Sequence, residues 1–153
     1  MNNIGFLVYT SWTEFGYSET LYSWFSTICY RLEDGEWGSR FPVVMNDLYY
    51  NEENGVGYDK LETFKEEIKI IKSKFSKLTP NEAIWSLEDN NLKIPNNMPN
   101  INYDAKSLVN FYIKTNSNKN IFDIIYRKIE SMEYNKRSCR IVSEQDLLTI
   151  EKI

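Results

Sequence analysis

Adjacent carboxylates are the residues of this chain that come closest to catalytic chemistry. They occur as Glu33-Asp34, Glu52-Glu53, Glu66-Glu67 and Glu88-Asp89. General acid–base catalysis needs two carboxylates in separate environments, and sequence neighbours seldom converge on one point. The pair at 88–89 follows an apolar segment and is the best of the four as a candidate site.

The chain contains no histidine among its 153 residues. This removes Ser-His-Asp and Cys-His nucleophile activation and the commonest ligand of catalytic zinc. The chain also lacks a phosphate-binding glycine loop, a dinucleotide fingerprint and a C-x-x-C motif. We therefore predict no catalytic residue, no cofactor and no metal ion, and a binding protein rather than an enzyme. A small histidine-free hydrolase that uses Glu88, Asp89, tyrosines and an arginine remains the alternative.

Length and charge indicate one acidic domain. A chain of 153 residues is predicted to form a single domain, 1–153, in which 144–153 could be a flexible tail. The net charge of −4 divides into −6 for residues 1–58 and +2 for residues 59–153. An acidic front third opposes nucleic-acid binding and suits a basic protein partner. A solvated surface kept acidic for solubility explains the charge equally well.

No targeting or membrane segment is evident. The chain has no apolar run approaching 18 residues and no signal-peptide pattern at its start. Cys29 and Cys139 lie in helical and strand-like patterns, and we interpret both as buried thiols. We predict a soluble, cytoplasmic protein without membrane contacts.

The hydrophobic patterns predict an α+β fold. Short apolar or alternating segments predict four strands: Ile4–Tyr9, Ala83–Leu87, Ser107–Thr115 and Arg137–Ser143. Helical periodicity predicts four helices: 18–32, a short one from Pro42, 59–78 and Ile121–Tyr134. Thr10–Tyr17 is interpreted as a connection and 88–102 as a long loop. The expected architecture is a four-stranded, largely antiparallel sheet with helices mainly on one face.

An acidic loop follows the first predicted helix. Glu33, Asp34, Glu36, Trp37 and Arg40 lie within eight positions, with glycines at 35 and 38 between them. Charged groups around an exposed aromatic residue suit binding to a partner protein. The competing interpretation is a packing motif, in which the tryptophan and Phe41 are buried and the arginine holds a carboxylate.

The same region carries a family resemblance. The segment Ser26–Tyr50 (STICYRLEDGEWGSRFPVVMNDLYY) and the W-x-x-E-D of Trp85–Asp89 resemble immunity protein family 70 of bacterial polymorphic toxin systems. The resemblance extends from Ile4 to about Ser143, and the WGSRFP block is its most specific part. It implies a cytoplasmic protein that binds and neutralises a cognate toxin. It implies no roles for individual residues.

Our hypothesis is that this loop contacts the toxin, with Trp37 as the aromatic anchor. Glu33, Asp34, Glu36 and Arg40 would supply the charged contacts, and a nuclease with a basic groove would suit them. A stand-alone assembly module is a further alternative if the apolar stripe of helix 59–78 is exposed. The oligomeric state and the identity of the toxin stay open.

Overall fold

A computed structural model describes residues 2–49, 55–88 and 91–151, with side chains as far as Thr149. Its fold is α+β, as predicted. The sheet has three antiparallel strands, and the central strand β1 (Asn3–Val8) lies between β2 (Ser11–Tyr17) and β3 (Cys139–Ser143). The prediction of about four strands is therefore corrected to three in the part of the chain that the structure describes.

Strand β2 occupies the segment that we interpreted as a connection. A bulge between Ile4 and Gly5 shifts the pairing of β1 with β2 and breaks the alternation that would reveal a strand. Trp12 lies across Gly5, where a Cβ atom would come within 2.7 Å of the indole ring. The Trp12 Nε1 donates to the carbonyl of Val142 at 3.0 Å, so this side chain ties the two outer strands together.

Three of the four α-helices that the structure describes lie where the periodicity places them. They are α1 (Ser18–Thr27), α2 (Leu61–Phe75), α3 (Ile121–Asn135) and α4 (Glu144–Glu151). Helix α1 continues as a π-helical segment, Ile28–Leu32, and a second π-helical segment spans Val43–Leu48. Helix α4 lies in the segment that was interpreted as a possible tail, and no periodicity predicted it. A 3₁₀ turn, Tyr58–Lys60, precedes α2, and no side-chain hydrogen bond caps the start of this helix.

The core lies between the sheet and the long helices. Ile4, Phe6 and Val8 of β1 point into one hydrophobic cluster with residues of α1, α2 and α3. The stripe of α2 is buried at all its main positions, including Phe64, Ile68 and Ile71. It is therefore part of the core and offers no exposed surface for assembly. Cys29 and Cys139 are free and buried.

Ala83–Leu87 was predicted as a strand and is an irregular segment that pairs with side chains of α1. The Ile84 N–H donates to Thr27 Oγ1 at 2.9 Å, and its carbonyl accepts from Ser23 Oγ at 2.7 Å. The Tyr112 hydroxyl lies 2.9 Å from both of these hydroxyl oxygens. Burial raises the pKa of Tyr112 to about 12. These contacts replace the ladder that a fourth strand would have made.

Ser107–Thr115 was also predicted as a strand and contains a 3₁₀ turn, Leu108–Asn110, which the Ser107 hydroxyl caps by accepting from Val109 N. Only isolated bridges remain, at Tyr112 and Ile113. In place of a ladder, the Asn100 side chain holds this segment against β2 by hydrogen bonds to Ile113 O, Thr115 Oγ1 and Phe15 O. Trp85 is buried.

Candidate functional site

Glu33 is the buried centre of the predicted partner-binding loop. Its side chain is 1% exposed, although an acid in a glycine-rich loop is expected on the surface. The carboxylate accepts from the backbone N–H groups of Gly38, Arg40 and Phe41, each at 3.0 Å. A buried charge requires such partners, because an unpaired one would be strongly destabilising. The carboxylate of Glu33 therefore organises the loop from inside.

Glu67 organises the segment that follows the loop, also through hydrogen bonds from backbone N–H groups. This residue of α2 is buried, and its carboxylate accepts from Val43 N at 3.2 Å and Val44 N at 2.8 Å. These N–H groups begin the π-helical segment Val43–Leu48 and have no acceptor within it. Burial raises the pKa of Glu67 most, with the charges of Glu33 and Asp47 adding to the effect, while the two backbone N–H groups lower it.

Trp37 is half-buried and joins the loop to a cluster of aromatic rings. Its Nε1 donates to the Met45 carbonyl at 2.8 Å. Its ring is stacked with that of Tyr22 at 6.3 Å between centroids and meets the edge of Tyr49 at 5.0 Å. Phe25 lies on the same rings. The tryptophan therefore packs against the protein's own tyrosines, and Phe41, four positions later in the chain, is buried.

The exposed members of the loop are Asp34, Glu36 and Arg40. Arg40 Nη2 lies 3.3 Å from Asp34 Oδ2, and the two side chains are 57% and 83% exposed. An ion pair this exposed contributes at most about 1 kcal/mol, since water screens it. These geometries do not test whether the five predicted residues contact a toxin, and that assignment stays a prediction. Of the five, Glu33 is the one that is fully buried.

Two other acidic residues among residues 1–58 have partners outside this loop. Asp47 pairs with Lys60 at 2.9 Å, and Glu14 accepts a hydrogen bond from Asn3 on the sheet. Glu52 and Glu53 lie outside the described residues, as does Asp89. The negative charge of the front third is therefore distributed among several environments.

A cleft of about 440 Å³ opens beside the aromatic cluster. It is formed by the start of α1, the end of the second π-helical segment and the irregular segment after Ile84. Its described lining is Asn2, Ile4, Ser18, Glu19, Leu21, Tyr22, Phe25, Tyr49, Trp85, Ser86, Glu88 and Asn91. Two of these residues carry a negative charge, and no lysine or arginine is among them.

The negative charge of Glu88 affects the pKa values of two tyrosines in the cleft, Tyr22 and Tyr49. Burial raises the pKa of Tyr22, and the negative charge of Glu88 raises it further. Burial likewise raises the pKa of Tyr49, with Tyr22 and Glu88 adding to the effect. Both hydroxyls therefore stay protonated near neutral pH. The cleft combines neutral aromatic walls with two carboxylates.

Sequence reasoning singled out Glu88 but missed the other residues of the cleft. Tyr22 and Glu19 are three positions apart on α1, beside the apolar stripe, and this spacing places them on one helix face. This spacing is the local sequence signal that could have placed Glu19 and Tyr22 at one site. Tyr49 and Trp85 reach the cleft only through the tertiary fold.

Within the described residues, no group of three or more cysteine, aspartate or glutamate side chains could hold a metal ion. No described helix combines the length and the apolar character needed to cross a membrane.

The structure is that of an α+β protein with a preformed cleft, which is lined by aromatic residues and two carboxylates. A family model, Immunity protein 70, matches residues 6–141. The chain therefore belongs to the immunity protein 70 family, as the sequence resemblance suggested. No curated protein matches the chain, and no solved structure matches it.

Proposed function

We propose that this protein binds a cognate toxin domain and neutralises it by covering the surface that the toxin needs for its activity. Membership of the immunity protein 70 family is the observation that carries this proposal. A cytoplasmic location and a toxin with a basic surface, such as a nuclease, belong to the same proposal.

We infer that the exposed acids of the loop, Asp34 and Glu36, belong to the contact surface. The two buried carboxylates hold this loop rigid, and a preorganised loop loses little conformational entropy on binding. Glu33 and Trp37 would act from beneath, the former by holding the loop and the latter by packing against the cleft tyrosines. Arg40, which pairs with Asp34, would partly offset the negative charge of this surface. The packing and the binding interpretations of this motif are thus compatible.

Co-expression with the toxin domain encoded by the neighbouring upstream gene tests the role. We expect the protein to co-purify with that domain and to restore growth of cells that express it. If the two do not form a complex, and growth is not restored, the proposed function is wrong.

Substitution of exposed acids tests the surface. The double variant Asp34→Asn/Glu36→Lys should bind the toxin domain more slowly, by about tenfold at low salt, because long-range attraction is lost. A matched control, Glu66→Asn/Glu130→Lys, makes the same change of charge on α2 and α3, where both acids are exposed. Equal association rates for the two variants would exclude the loop from the contact surface.

The cleft favours a second candidate function, a small hydrolase in which Glu88 acts on a bound substrate. The raised pKa values of Tyr22 and Tyr49 keep these hydroxyls protonated and do not activate them as bases. Turnover of ester or phosphodiester substrates by the purified protein, abolished by Glu88→Gln, would establish this alternative in place of inhibition.

A further inference from the structure

We infer that the acidic aromatic cleft is a socket for one arginine side chain of the partner protein. This inference rests on the proposed function and adds to it the chemistry of the contact. The occupant would be a side chain presented by the toxin domain, inserted between the aromatic walls and the two carboxylates.

The shape of the cleft suits a side chain rather than a flat contact. Its volume of about 440 Å³ falls within the range of pockets that enclose small ligands, roughly 300–1,000 Å³. Tyr22, Tyr49 and Trp85 are among its lining residues, and each has a large ring with a polar tip. Such side chains lose little rotamer freedom on binding and are common at the centres of protein interfaces.

The walls are held in place before any partner arrives. The rings of Tyr22 and Tyr49 lie 6.1 Å apart and both pack against Trp37, which is anchored to the Met45 carbonyl. The Trp85 backbone N–H donates to Leu92 at 2.8 Å. A socket formed in advance spares the partner the cost of ordering it.

The charge selects a cation. Glu19 and Glu88 both line the cleft, and within the described part of the chain neither forms an ion pair with a lysine or arginine. Glu19 Oε1 accepts from the Ser18 hydroxyl at 2.7 Å and keeps its second oxygen for another donor. A cation that enters would therefore meet two carboxylates without having to displace one of the protein's own.

Arginine fits this combination better than lysine. Its planar guanidinium stacks on aromatic faces and can donate to a carboxylate through two parallel N–H groups. An ammonium group is more strongly hydrated and lacks the planar stacking surface. The aromatic walls and the carboxylates of the cleft offer both interactions at once.

The test compares dissociation constants for the toxin domain by calorimetry. The cleft variant Glu19→Gln/Glu88→Gln should weaken binding about ten- to a hundredfold, because a charge-assisted contact near the centre of an interface is lost. The control Glu66→Gln/Glu130→Gln removes the same charge from exposed positions of α2 and α3 and should bind within about threefold of wild type. In the toxin domain, one arginine should exist whose change to lysine or alanine reproduces the loss. The effects of that change and of the cleft variant should not add.

The outcomes separate the two proposals. If the wild-type protein binds the toxin domain and the cleft variant binds equally well, the socket is wrong and the proposed function stands. If the wild-type protein does not bind the toxin domain at all, both the proposed function and the arginine socket are wrong. Circular dichroism and urea unfolding of the variants establish that each one is folded, so that lost binding cannot reflect lost structure.

Discussion

The carboxylates of Glu33 and Glu67 share the backbone of one segment, Gly38–Val44. Glu33 accepts from three N–H groups and Glu67 from two, at 2.8–3.2 Å. Of the two remaining residues, Ser39 donates to the Glu36 carbonyl and Pro42 has no N–H. Every backbone donor of this segment is therefore satisfied without a regular helix or strand. The WGSRFP block is thus held in an irregular conformation by the buried carboxylate of Glu33, and Glu67 holds the two residues that follow it.

The first prediction concerns the free energy of unfolding of Glu33 variants. Glu33→Ala should lower it by about 2–4 kcal/mol, because three backbone N–H groups lose a charged acceptor. Asp34→Asn is the matched control. Asp34 is exposed and has φ 53°, which Asn tolerates, so this change should cost less than about 1 kcal/mol. Urea unfolding followed by circular dichroism measures both. Similar losses for the two variants would contradict the structural role of Glu33.

The second prediction concerns the pH dependence that Glu67 imposes. Burial raises its pKa in the folded state above the ordinary value of 4.5. The folded state therefore holds this proton more tightly than the unfolded state, and stability falls as the pH rises from about 4.5 through the folded pKa. Glu67→Gln removes this ionisation. The stability of the variant relative to wild type should then improve as the pH rises from about 4.5 and level off once the pH passes the folded pKa of Glu67.

Glu66→Gln supplies the control for that measurement. Glu66 precedes Glu67 on the same helix but is exposed. Its substitution should leave the pH dependence of the unfolding free energy unchanged. Parallel curves for Glu67→Gln and wild type over this pH range would show that the Glu67 carboxylate does not carry the effect.

Elements with local periodicity were predictable from the sequence. Phe64, Ile68, Ile71 and Phe75 of α2 recur at helical spacing and are all fully buried. Strands β1 and β3 are short apolar runs and lie where they were predicted. In these segments burial alone selects the structure, and a window of a few residues contains the information.

Elements that depend on distant partners were not predictable in this way. The backbone of Ile84 binds hydroxyl groups of α1, nearly 60 positions earlier, so its apolar run did not become a strand. Glu33 looked like a surface acid because its three donors follow it in a loop without regular structure. The cleft joins residues from Asn2 to Asn91. Only the folded chain brings these groups together.

The third prediction concerns Asn100, whose side chain replaces a strand at the outer edge of β2. Its amide accepts from Tyr17 N at 3.0 Å and donates to Phe15 O, Ile113 O and Thr115 Oγ1 at 2.8–3.1 Å. Asn100→Ala should lower the free energy of unfolding by about 2–4 kcal/mol, because several buried groups lose their partner.

Asn97→Ala is the control, since Asn97 has a similar positive φ, 61° against 68°, but is exposed. The control measures the backbone cost of alanine in a left-handed conformation, about 1 kcal/mol. The excess loss at Asn100, measured by urea unfolding, gives the value of the side-chain contacts, and an excess near zero would contradict their structural role.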